Sequence, residues 1–98
     1  MAIRRAEVLE EQKSPRAGDA WSEVMAYEER LAEITRPQDI SGGVARVGAV
    51  TAALAAGRRS EASRLASRYL AEDQLSAERR AAIQRALEED QERLARRY

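Results

Sequence analysis

Two consecutive segments of this 98-residue chain place apolar side chains at intervals of 4, 3, 4 and 3 residues. The first segment carries Ala20, Val24, Tyr27, Leu31 and Ile34; the second carries Ile40, Val44, Val47, Thr51 and Leu54. A helix turns once every 3.6 residues, so this interval keeps the side chains in one stripe along one side of a helix. A half-buried strand needs strict alternation, which does not occur, and no Asn-Gly or Asp-Gly hairpin turn is present. The chain is predicted to be all-α.

The stripes and their flanking residues define the predicted elements. Asp19 suits the N-cap of a helix over 19–36, in which Trp21 and Met25 widen the apolar side. Pro37 closes it, because the residue before proline is pushed out of helical geometry. Asp39 or Ser41 can open the next helix, 40–56, and Gly57 suits its C′ position. Gly43, Ala45, Gly48, Ala49, Ala52 and Ala53 make this helix thin, so it is expected to be the central and most buried one. Gly48 costs about 1 kcal/mol in helix propensity, for which close packing is the expected compensation. A third helix, 60–72, starts at Ser60 and aligns Ala62, Leu65, Ala66, Tyr69 and Leu70. The last, 76–97, starts at Ser76 and carries Ile83, Leu87 and Leu94 beside Ala82 and Ala86. Glu89 with Arg93, and Glu92 with Arg96, have the spacing and order of helix ion pairs. Short loops imply antiparallel hairpins, and thus a small bundle of four helices over 19–98. Residues 1–18, broken by Ser14-Pro15 and Gly18, form an arm or a short fifth helix.

Composition limits what such a bundle can do. Leu, Ile and Val together number only 17, against 20 Ala. So few large aliphatics would suggest disorder in a highly charged chain, but here 17 basic and 17 acidic residues cancel. The expectation is a thin core whose deficit is relieved by self-association or by a protein partner. The chain has no Cys and no His. That removes disulfides, thiolate or imidazole zinc sites, and His- or Cys-based catalysis. No cofactor is expected. The most apolar stretch, 47–56, is about ten residues, half of what a bilayer span requires. Arg4 and Arg5 lead into Glu7, Glu10 and Glu11 with no apolar run, so no signal peptide is expected. The predicted setting is cytoplasmic.

Three motifs resemble known patterns. Leu54-Ala-Ala-Gly57, followed by Ala62 and Leu70, resembles the inside of a tetratricopeptide-type hairpin, which implies stacking against further repeats. Tyr69 stands where that family prefers Ala, and Gln74 where it prefers Pro. Ala53-x-x-x-Gly57 resembles the entry to a helix-turn-helix spanning 44–70. That resemblance implies contacts to DNA from Arg58, Arg59, Ser60, Ser63, Arg64 and Arg68. A pI near 6.3 is far from a basic footprint. Tyr69-x-x-x-Asp73 is similar to the signal of small substrates of type VII secretion, but Trp21 lacks that family's following glycine turn.

The leading expectation is a non-enzymatic interaction or adaptor module that self-associates. Its candidate partner-binding residues are Trp21, Met25, Tyr27, Leu94 and Tyr98, since Trp, Tyr and Met are enriched at interfaces. The alternative is a small DNA-binding regulator using the arginines of 58–68.

Overall fold

The structure, a computed structural model, describes residues 3, 5–7 and 16–97. Beyond the helical residues 3 and 5–7, four helices follow in chain order: α1 (Ala17–Glu33), α2 (Ile40–Ala55), α3 (Arg59–Leu70) and α4 (Ala77–Arg97). No strand occurs among the described residues. Of the expected arm, residues 1, 2, 4 and 8–15 lie outside the described residues. Ile3, Arg5, Ala6 and Glu7 are helical; Ala6 is fully buried, and Arg5 donates to Glu23 at 3.0 Å.

Each helix runs antiparallel to its predecessor. Gly18 lies beside the Ala56 carbonyl and Gly48 beside the Glu28 side chain, which sets α1 and α2 head to tail. Arg46 of α2 meets Glu72 just beyond α3, and Arg59 of α3 meets Asp90 of α4. Helix α2 packs against all three others, as its small residues suggested. The molecule measures 38 × 32 × 19 Å, a slab about two helices thick.

Several helix ends depart from expectation. The first helix starts at Ala17, with Gly18 and Asp19 in its first turn and Arg16 at the N-cap. It ends at Glu33, because the Thr35 hydroxyl donates back to the Leu31 carbonyl at 2.7 Å and Pro37 excludes a further turn. Asp39 occupies the N-cap of α2, but its carboxylate accepts from Arg36 and makes no cap hydrogen bond. Arg58, and not Ser60, is the N-cap of α3. Ser76 acts as expected: its hydroxyl accepts from the Arg79 amide at 3.2 Å. Gly57 also does so, with φ at +74°. Its amide donates to Leu54 O and the Arg58 amide to Ala53 O, the paired bonds of a Schellman turn.

The core contains a correction to the stripe reading. On α2 the buried side chains are Ala45, Arg46, Ala49, Val50, Ala52, Ala53 and Leu54. Ile40, Val44 and Thr51, expected inside, are exposed. Tyr27 and Ile34 on α1 are exposed as well, while Val24, Met25, Glu28 and Ala32 are buried. The physical reason is that α2 is apolar nearly all round. Neighbouring helices approach most closely over its small side, and the branched side is left over. Against that small side pack Val24, Leu65, Tyr69, Leu75 and Ile83. The apolar face expected on 60–72 is correct: Ala62, Leu65, Ala66 and Tyr69 are buried and Leu70 partly so.

Two arginines tie the bundle together. Arg46, only 4 % exposed, donates bidentately to Glu72 at 2.6 and 3.1 Å. It also donates to the carbonyls of Gly42 at 3.0 Å and Thr35 at 3.3 Å, and its guanidinium lies 5.6 Å from the Tyr69 ring centre. Arg80 donates to the carbonyls of Leu70, Glu72 and Leu75. These include groups that the end of α3 leaves without helical partners.

Candidate functional site

The exposed apolar residues of α1 and α2 share one face. At 100° per residue, Tyr27, Leu31 and Ile34 lie along one edge of α1, and Glu29 and Glu33 along the opposite one. The glutamates reach α3 through Arg64 at 3.2 Å and Arg68 at 3.9 Å, so α3 sits on their side. Tyr27 and Ile34 therefore face away from α3. On α2, Arg46 points toward the end of α3 and Gly43 lies against Arg79 of α4. Ile40, Val44, Val47 and Thr51 form the edge left open between α1 and α4.

The result is a surface on which four large apolar side chains stand exposed. Tyr27 is 58 % exposed, Ile34 80 %, Ile40 81 % and Val44 48 %. Together these four present on the order of 500 Å² to solvent, in the range of the largest apolar patch on a typical monomer. No charge interrupts it along α2. Arg46 is the single charged residue of that helix, and it is turned into the core.

A groove of about 510 Å³ continues this surface at the far end of α2. Thr51, Leu54 and Ala55 form one wall, and Ala86 and Leu94 of α4 the other. Its polar edge is built on Asp90, a buried carboxylate. Asp90 accepts from Arg59 Nε at 2.9 Å and from Arg93 at 3.3 Å. The charge run around Glu88 thus turns one member inward, and Arg93 pairs with Asp90 where Glu89 was expected. Glu92 and Arg96 do pair, at 3.7 Å.

The sequence-derived candidates are dispersed. Met25 is in the core, Trp21 is partly buried against it, Tyr27 is on the open face, and Leu94 lines the groove. Tyr98 lies outside the described residues. Trp21, Met25 and Tyr27 therefore do not form one surface patch. Arg58, Arg59, Ser60, Ser63, Arg64 and Arg68 are all exposed. Arg59 is paired with Asp90, Arg64 with Glu29 and Glu61, and Arg68 with Glu33. The 4, 3, 4, 3 spacing predicts Ile34, Ile40 and Val44 inside, but all three are exposed. For Ile40 and Val44 the one sign of exposure in the sequence is the small, better-packing side of the same helix.

One carboxylate sits under the face. Glu28 is 8 % exposed, and the missing side chain of Gly48 makes room for it, since a Cβ there would lie 3.1 Å from its carboxyl. Its Oε2 has no hydrogen-bond partner among the described residues. Burial raises its pKa above the ordinary 4.5. The folded state therefore holds this proton more tightly than the unfolded chain does. Stability from protonated Glu28 is complete below about pH 4.5 and is lost as pH rises through the higher folded value. Glu28→Gln is expected to stabilise the fold at pH 7 by on the order of 1 kcal/mol. That gain should vanish at pH 4, as urea titrations at the two pH values would show.

Among the described residues, no group of three or more His, Cys, Asp or Glu is placed to hold a metal ion. No helix among them is long and apolar enough to cross a membrane. No protein-family model, curated protein or solved structure matches this chain.

Proposed function

We propose that this protein is a non-enzymatic interaction module that self-associates through the open face of the α1–α2 hairpin. The observation that carries this reading is the absence of charge on the outward side of α2, where Ile40 and Val44 stand exposed. A helix side meant for water normally carries Lys, Arg or Glu. Here the chain spends 34 charged residues elsewhere and keeps this side apolar. Burying such a face against another protein gains about 25 cal/mol for each Å² removed from water. A cytoplasmic setting accords with this role. The pairing of Arg59, Arg64 and Arg68 with carboxylates weighs against a DNA-binding face, because phosphate contacts need cations available to displace counterions.

Sedimentation equilibrium tests the reading. The wild-type chain should associate at micromolar concentration, and Val44→Glu should weaken association at least tenfold with helicity unchanged. A wild-type chain that stays monomeric at that concentration, with a sharp thermal transition, would overturn it.

A further inference from the structure

The geometry points to a specific arrangement, which rests on the self-association reading. A second copy docks antiparallel on the same face, about a two-fold axis crossing α2 between Val44 and Val47, and seats its Ile40 at the α2–α4 groove.

The spacing of the stripe supports a two-fold. Ile40, Val44, Val47 and Thr51 follow intervals of 4, 3 and 4, which read the same in both directions. Reversal places Val44 on Val47 of the second copy and Ile40 on Thr51 of the second copy. Every residue that finds a partner gives one back, as an isologous interface requires.

Helix α1 has the same centre. The approach of Glu28 to Gly48 sets Tyr27 and Leu31 alongside Val44 and Val47. The axis therefore also crosses α1 between Tyr27 and Leu31, and it brings Tyr27 to Leu31 of the second copy.

The two ends of the face are unlike, and this selects the antiparallel sense. The loop end projects Ile34 and Ile40, the most exposed of the large apolar side chains. The other end is hollowed by the groove, with Thr51 and Leu54 at its lip, Ala86 and Leu94 opposite, and the charged side chains of Arg59, Glu89, Asp90 and Arg93 along its polar side. Ile40 and Thr51 are separated by about 16 Å along the helix. Reversal brings projection to hollow at both ends of the interface. A parallel copy would set Ile40 on Ile40 and leave both grooves empty.

Area and charge agree. The four exposed apolar side chains alone present on the order of 500 Å², more than half of the roughly 800 Å² per partner that stable interfaces bury. Because the outward side of α2 has no charge, an antiparallel pair of α2 helices sets no like charges against each other.

The chain has no Cys, so engineered thiols report geometry without background. Ile40→Cys and Thr51→Cys both alter exposed positions. Each variant alone and a 1:1 mixture are equilibrated in a glutathione redox buffer, with Ser67→Cys on α3 as the collision control. The mixture should yield a disulfide-linked dimer holding one chain of each kind, at least tenfold above Ile40→Cys alone or the control. Linkage of Ile40→Cys to itself at the level of the mixture would overturn the antiparallel arrangement while leaving self-association intact. So would a chain that sediments as a dimer but gives no mixed linkage. A monomer by sedimentation would overturn this arrangement and the functional reading together.

Discussion

Arg46→Ala is expected to lower stability by about 3–5 kcal/mol, the range for breaking a buried, hydrogen-bonded ion pair from one side. In a domain of this size that corresponds to a fall in Tm on the order of 15 °C or more. The effect is large because one guanidinium serves three segments. Its two bonds to Glu72 hold the turn between α3 and α4, its bond to Thr35 holds the turn between α1 and α2, and its bond to Gly42 stays within α2. Removal leaves the part-buried Thr35 carbonyl without this donor and empties the space beside Tyr69. Arg46→Lys should recover less than half of the loss, since an ammonium cannot form the planar fork that Glu72 accepts. Urea denaturation followed by circular dichroism gives both values, and a loss under 1 kcal/mol for Arg46→Ala would contradict this account.

Gly42→Ala is expected to cost about 3 kcal/mol, at the top of the usual range for overpacking. A Cβ there would lie 1.8 Å from the Arg36 carbonyl oxygen and 2.7 Å from its carbon. Both atoms are backbone, so no side-chain rotation relieves the clash and the loop over 34–39 must lift. Lifting it withdraws the Thr35 carbonyl from Arg46, so the two substitutions should be less than additive. Gly18→Ala provides the control. Its Cβ would meet only the Ala56 carbonyl at 3.9 Å, and the gain in helix propensity should leave that variant neutral or slightly stabilised. Equal losses for the two alanine variants would show that backbone propensity, and not the Arg36 carbonyl, governs position 42.

The helices and their order were legible in the sequence because caps, breakers and 3.6-residue periodicity are local signals. Gly57, Pro37 and Ser76 act where they were expected to act. The orientation of α2 was not legible. Its apolar residues surround the helix, so periodicity alone cannot say whether the Ile40–Val44 side or the Ala45–Ala49 side faces inward. Closest approach over small residues decided it, and that is a property of the neighbours. Arg46 is inconspicuous as one arginine among 16, yet a lone charge in an otherwise uncharged 16-residue helix is a recognisable sign of a buried polar anchor. Asp90 was hidden for the opposite reason: two glutamates beside it made a run that reads as solvated. For the candidate surface, the sequence supplied Tyr27 and the idea of an undersupplied core, but not the face itself.

The alanine-lined side of α2 also determines how this molecule can fail. Ala45, Ala49 and Ala53 are completely covered, and an alanine has almost nothing to lose. Truncation, the usual way to damage a hydrophobic interior, therefore has few targets along this helix. Enlargement has many, since each added methyl would act as a wedge between helices already at closest approach. Tolerated variation along α2 should therefore be asymmetric, with bulk accepted on the outward stripe until a partner covers it and refused on the inward side throughout.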